Sequence, residues 1–314
     1  MTHNKPPSAI PRPRQRSGRP WCGIDIPLKY TRMTTVAIIG AGDIGGAVAQ
    51  ALAARDRVGR VLLVDASGQA AAGKALDIQQ AGPVEGYHTR LEGTADDTRI
   101  IGCQVCVIAD RFGARSAEWQ GDDALAMVTR LASSLGDAPI VFAGATQVEL
   151  IGQASREARI PRERLIGSAP EALASAVTAI VAMEARCSST EVNLTVLGVP
   201  PSGFVVPWSE ASIGGYALDR VLSQVQLTRV EARAARLWPP GPYALGAAAA
   251  RVAEAVLHSS RRSFSVLTPL GGEFGVRDRV GTLPALLASR GIVHVRVPDL
   301  TTRERVQLET ALGA

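Results

Sequence analysis

The sequence predicts an α/β chain, a doubly wound parallel sheet followed by an α+β second domain. Three observations carry this. Short apolar, β-branched runs alternate with helical patterns from Val36 to about Ser168. The first run, Val36 to Ile39, ends in Gly40-x-Gly42-x-x-Gly45 and opens directly into an alanine-rich helical pattern. From about Ala169 the alternation stops, and helices and strands follow one another without a regular order.

The first element pair contains the most specific motif. A strand, a tight glycine turn and a helix start in that order allow backbone to approach a pyrophosphate, which the free N–H groups and positive dipole end of the helix attract. A second apolar run, Val61 to Val64, ends at Asp65, twenty residues after Gly45. A carboxylate there can accept from both hydroxyls of a ribose and repels a 2′-phosphate, which favours NAD over NADP. The candidate cofactor residues are therefore Gly40, Gly42, Asp43, Ile44, Gly45 and Asp65.

The remaining elements follow in order. Gln69 to Ala81 has helical spacing and runs into Gly82-Pro83, a predicted stop. Val105 to Ala109 reads as a strand, and Asp110 to Gly121 as a polar, irregular loop. Ala124 to Leu135 reads as a helix, Ile140 to Ala143 as a strand, Val148 to Ala158 as a helix and Leu165-Ile166 as a short strand. Beyond Ala169 come a long helix to Ala185, a strand from Glu191 to Gly198, and an extended segment from Phe204 to Ser209. Helical patterns at Leu218 to Trp238 and Tyr243 to Leu257 precede a strand Ser263 to Leu267. A glycine turn at 271–276, a strand Ile292 to Val297 and a helix Thr302 to Leu312 complete the chain. The expected domains are 33–168 for dinucleotide binding and 169–314 for an α+β, substrate-type unit.

Composition bounds the partners. The 314 residues are 46% hydrophobic and carry a net charge of +5. Residues 1–32 hold seven bases against Asp25 alone, a charge of +6, so the rest of the chain carries −1. A near-neutral body gives no electrostatic case for a nucleic-acid or membrane partner. The Pro- and Arg-rich first 32 residues read as a disordered basic leader, or as an extension before a true start at Met33. They contain no apolar core of signal-peptide length, and no apolar run in the chain is long enough to span a bilayer, so the cytoplasm is the expected location. Cys103 and Cys106 fall in an apolar strand pattern that would turn their side chains to opposite faces, which argues against a metal pair or a redox couple.

The stretch from Gly73 to Gly86, with Ile166-Gly167-Ser168, Val196-Leu197-Gly198, Pro207-Trp208-Ser209 and Phe274-Gly275-Val276, resembles the lactate/malate dehydrogenase family, from Val36 to the C-terminus. The resemblance implies a Rossmann domain, NAD(H) as cofactor, a small carboxylic acid as substrate, and a homodimer or homotetramer. Hydride transfer from a 2-hydroxy acid calls for a histidine as acid/base, an aspartate to orient it and arginines to grip a carboxylate.

The positions that match those residues do not carry them. The family's histidine falls on Pro200, its aspartate on Leu173, its carboxylate-binding arginine on Ala176 and its asparagine near Ala145. The later loop arginine falls on or beside Gln120-Gly121, leaving Arg111 and Arg115 on the loop. The four histidines, His3, His88, His258 and His294, all lie outside 149–257, where the catalytic one belongs. Stand-ins without a spacing argument are Glu171, Arg111, Arg115 and Tyr243. Arg111 replaces a glycine of the family beside the cofactor, where it would either clamp a pyrophosphate or fill the nicotinamide space. Two functions follow: an NAD(H)-binding protein without ordinary malate or lactate dehydrogenase activity, or an active oxidoreductase with relocated catalytic residues.

Overall fold

The structure, a computed structural model, describes Met1 and residues 34–113 and 118–313. The basic leader and Arg115 lie outside the described residues. The parallel part of the sheet is built from β1 (Thr35–Ile39), β2 (Arg60–Val64), β3 (Arg90–Thr94), β4 (Val105–Ile108), β5 (Ile140–Phe142) and β6 (Leu165–Gly167), in the spatial order β3-β2-β1-β4-β5-β6. Helices α1 (Asp43–Arg55), α2 (Gly68–Glu85), α3 (Gly121–Ser134), α4 (Val148–Arg156) and α5 (Ala169–Ala185) connect or follow these strands.

Alternation along β1 divides the core. Val36 and Ile38 join one cluster with Val48 and Leu52 of α1, whereas Ala37 and Ile39 face Met127, Leu131 and Leu150 of α3 and α4. Both faces are covered, so the strands read as unbroken apolar runs. Register then fixes the site. Ile39 stands opposite Val64 and Ile108, so the carboxyl ends of β1, β2 and β4 are level where the strand order reverses. Gly40, Asp65 and Asp110 are thereby brought to one edge. Phe142 pairs with Ile108, which opens the turn after β5 on the same edge.

The second half adds β7 (Val192–Asn193), β8 (Leu197–Val199), β9 (Gly203–Val205), β10 (Ser212–Ile213) and β11 (Tyr216–Ala217). Then come α6 (Leu218–Val221), α7 (Gln224–Ala234), α8 (Pro242–His258), β12 (Ser263–Gly271), β13 (Arg277–Ala288), β14 (Gly291–Val295) and α9 (Thr302–Leu312). Antiparallel β12, β13, β8 and β9 continue the large sheet beyond β6, and β7, β10 and β11 form a separate three-stranded sheet. Gly246 of α8 packs against Ala47 of α1, where an added Cβ would stand 2.5 Å from the Ala47 methyl.

Several expectations are corrected. α2 passes through Gly82-Pro83 to Glu85: Pro83 removes one helical donor, but termination waits for Gly86, whose φ of 84° reverses the backbone. The run from Glu191 to Gly198 is two strands in two sheets, β7 and β8. Leu218 to Trp238 is two helices, because Ser223 starts α7 with a capping box to Gln226. The twelve-residue β13 was not expected, since Gly281 and Pro284 interrupt its pattern. A Cβ at Gly281 would come within 2.9 Å of Leu312 in α9, which explains the glycine. Cys103 precedes β4 instead of lying on it, so Cys103 and Cys106 share one core cluster and do not face opposite ways. Burial raises the Cys103 thiol to about 11 and the Cys106 thiol well above its ordinary range, so both stay protonated and unreactive.

Candidate functional site: a glycine turn, an acidic loop and an apolar chamber

The turn after β1 is held by backbone. Gly40, at φ 109°, donates to Val64 O at 2.7 Å, and Gly42 N donates to Asp110 O at 2.9 Å. A Cβ at Gly40 would stand 2.2 Å from the Asp110 carbonyl, and one at Gly45 would stand 2.1 Å from the Gly40 carbonyl. Only glycine permits these approaches. Lys74 of α2 reaches across to donate to Gly42 O.

The first turn of α1 leaves backbone donors without intrahelical partners, and its N-cap residue, Gly42, has no side chain to satisfy them. Asp110 does so from just past the end of the neighbouring strand β4. Its Oδ2 accepts from Asp43 N at 2.8 Å and its Oδ1 from Gly45 N at 2.9 Å. The carboxylate lies against the turn closely enough that a Cβ on Gly42 would meet its atoms at 2.3–2.6 Å. Asp110 is 5% exposed. Its charge sits at the positive end of the helix, where an anion is favoured. A dinucleotide's pyrophosphate needs those same N–H groups and that same space. In this arrangement the Asp110 carboxylate holds two of them, so a pyrophosphate must compete with it.

Asp65 is likewise engaged by the protein. Its Oδ2 accepts from Ala41 N at 2.9 Å and Phe112 N at 3.0 Å, and its Oδ1 accepts from Ser67 N at 2.9 Å. The carboxylate expected to meet a ribose therefore ties the loop after β4 to the glycine turn. Arg111, between Asp110 and Phe112 on that loop, lays its guanidinium over the Trp119 ring, 4.8 Å from the centroid.

A second carboxylate closes the turn after β5. Glu118 accepts from Ala145 N at 2.9 Å, Thr146 N at 2.8 Å, the Thr146 hydroxyl at 2.6 Å and Gln147 Nε2 at 3.0 Å. Burial pushes its carboxyl up, but the bonds from Thr146, Gln147 and Ala145 outweigh this and hold it below its ordinary value. Ala145, the position expected to match an asparagine, is itself buried.

Leu173 is fully buried in an apolar cluster with Val177, Val181, Val196 and Val206. Ala176 is half-buried on α5, and Pro200 is buried just beyond β8, followed by a cis peptide bond to Pro201. None of the three can carry a proton or bind a carboxylate. Glu171 lies 200° round the helix from Leu173 at 100° per residue, and so on the other face. It accepts from Ser265 N at 3.0 Å, has Arg262 at 3.9 Å, and burial raises its carboxyl. It lines a cavity of about 580 Å³ with Arg251, Arg262 and Arg296. Tyr243 is exposed at the start of α8.

The described histidines are remote from this edge in role. His88 N donates to Asp56, the His258 ring meets Arg57 O at 3.2 Å, and His294 is exposed on β14 opposite Leu286. Among the described residues, no group of three or more His, Cys, Asp or Glu is placed to hold a metal ion.

Sequence reasoning assigned no role to Asp110 or Glu118. For Asp110 a signal exists: an acid directly after the apolar strand that neighbours the glycine turn. Glu118 has none, because its partners lie 27–29 residues away on another loop.

Comparison with known proteins agrees with the topology. A malate dehydrogenase from Thermomicrobium roseum is 30% identical over 295 residues, covering 89% of this chain and 95% of its own. The malate dehydrogenase of Salinibacter ruber is 26% identical over 294 residues, covering 88% of this chain and 93% of its own. Its solved structure superposes with a TM-score of 0.79 over 89% of this chain and 94% of that one. A lactate dehydrogenase from Cryptosporidium parvum, solved with lactic acid and nicotinamide adenine dinucleotide, shares the fold at a TM-score of 0.81 and 21% identity, over 90% of this chain and 95% of that one. No family model matches the chain. With a relative 30% identical along nearly its whole described length, a doubly wound sheet and a glycine turn at the switch point, the chain belongs to the malate/lactate dehydrogenase family.

Proposed function

We propose that this chain is a family member without ordinary malate or lactate dehydrogenase activity, a binding or regulatory protein built on an NAD(H)-type unit. The observation that carries the reading is Leu173: the position matching the family's aspartate lies wholly inside an apolar cluster, where an ionised carboxylate would be strongly disfavoured. Pro200 and Ala176 remove the acid/base and the carboxylate grip by the same matching. Loss of a general acid/base alone costs roughly 10²- to 10⁴-fold in rate.

NAD(H) is the dinucleotide this reading assigns, since Asp65 is at the position that disfavours a 2′-phosphate. Residues 33–168 form the dinucleotide-type domain of the proposal and residues 169–314 the α+β domain. A homodimer or homotetramer in the cytoplasm completes it; among the described residues no helix is long and apolar enough to cross a membrane.

Purified protein mixed with NADH and either oxaloacetate or pyruvate tests the reading, with a genuine malate dehydrogenase as control. Oxidation of NADH at the background rate is expected. Turnover within a hundredfold of the control would overturn it. One observation favours a second reading, catalysis by relocated residues: buried Glu171, its carboxyl raised by burial, stands 3.9 Å from Arg262, and both line one cavity of about 580 Å³. Under that reading a 2-oxo acid turns over and Glu171→Gln abolishes the turnover.

A further inference from the structure

We propose that Asp110 is the resident anion of the glycine turn, so that the chain restrains its own dinucleotide site and any NAD(H) must displace this carboxylate. The inference rests on the NAD(H) reading above and adds to it what governs access.

Three features act together. The carboxylate takes the two donors, Asp43 N and Gly45 N, at 2.8 and 2.9 Å. These are the groups a pyrophosphate would use. Charge-assisted bonds of this kind are about twice as strong as neutral ones. Next, Asp110 is anchored on both sides by backbone: Ala109 N donates to Ile39 O at 2.9 Å, and Gly42 N donates to Asp110 O at 2.9 Å. The carboxylate is thus an intramolecular ligand held in place, with a high effective concentration. Finally, the backbone is held again two residues on, where Phe112 N donates to Asp65 at 3.0 Å. Relief must therefore come from rotation of the Asp110 side chain rather than from departure of the strand end. Even rotated, its negative charge stays beside the phosphates and opposes them.

The same bonds explain the local structure without any ligand. Gly42, the N-cap residue, has no side chain to serve the first donors of α1, and Asp110, two residues past β4, serves them instead.

The test titrates full-length wild type, Asp110→Asn and Asp110→Ala with NADH, followed by energy transfer from tryptophan, and with ADP-ribose by calorimetry. Asp110→Asn keeps the side-chain shape and guards against loss of the fold, which circular dichroism checks. Expected is binding at least about tenfold tighter in Asp110→Ala than in wild type, the equivalent of releasing one charge-assisted bond, with Asp110→Asn between them. Unliganded Asp110→Ala should melt below wild type and regain the difference on adding ADP-ribose. Wild type and both variants binding equally well would overturn this inference and leave the NAD(H) reading standing. Binding by the variants but not by wild type would support the inference and remove NAD(H) as a ligand of the native chain. No binding by any of the three at millimolar concentrations would overturn both.

Discussion

The Glu118 carboxylate accepts both the backbone N–H of Thr146, at 2.8 Å, and its hydroxyl, at 2.6 Å, so that one acidic side chain ties the loop preceding α3 to the turn after β5. Together with Asp110 on the glycine turn, it means that both backbone turns along the switch-point edge are satisfied from within the chain.

Glu118 sets an acid limit on that edge. Despite burial, its carboxyl is held below the ordinary value by Thr146, Gln147 and Ala145. A folded-state value below the unfolded one contributes stability above the unfolded value, lost as pH falls through the folded one. Melting temperature should therefore fall below about pH 4.5 more steeply in wild type than in Glu118→Gln, with the two curves converging at the acid end. Glu118→Ala should lose about 1–3 kcal/mol at pH 7 in urea unfolding, because four donors are left without their acceptor.

Glu171 has the opposite sign. Burial raises its carboxyl above the ordinary value against the bond from Ser265 N and the nearby Arg262 and Arg251. The folded state then favours the neutral acid, and stability declines as pH rises from the unfolded towards the folded value. Glu171→Gln, which still offers an oxygen to Ser265 N, should remove that decline and melt no lower than wild type at pH 8. A melting temperature several degrees below wild type at pH 8 would contradict this.

Under the proposed function, an aspartate at Leu173 should not bring activity. Leu173→Asp places a carboxylate in a fully buried apolar cluster, at a cost of at least about 3 kcal/mol. Leu173→Ala should cost roughly 2–5 kcal/mol through the cavity it leaves. Urea unfolding of both variants, with NADH oxidation assays on Leu173→Asp combined with Pro200→His, checks the point.

The contact between α1 and α8 has little room. Gly246→Ala brings a methyl to 2.5 Å from the Ala47 Cβ, so the helices must separate, at a cost of about 1–3 kcal/mol. Gly73→Ala, where nothing lies within 4 Å of the added Cβ, should be neutral or mildly stabilising in the same melting experiment.

How much was legible follows the range of the interactions concerned. β1, β2 and the glycine turn could be read because β-branched runs, a positive-φ glycine and a helix start are local signals. β13 could not, because Gly281 and Pro284 break its pattern and are explained only by α9 and the neighbouring strands. Pro83 misled for the same reason: a proline costs one hydrogen bond, and surrounding packing decides whether a helix continues past it.

The amino-acid sequence alone determined the α/β class, the glycine turn and the family, since each is a matter of residue type and spacing. Tertiary structure alone decided what fills the turn. Asp110 lies 67 residues from Asp43, and Glu118 lies 28 from Thr146. Only the level ends of β1, β4 and β5 bring those carboxylates to their backbone donors.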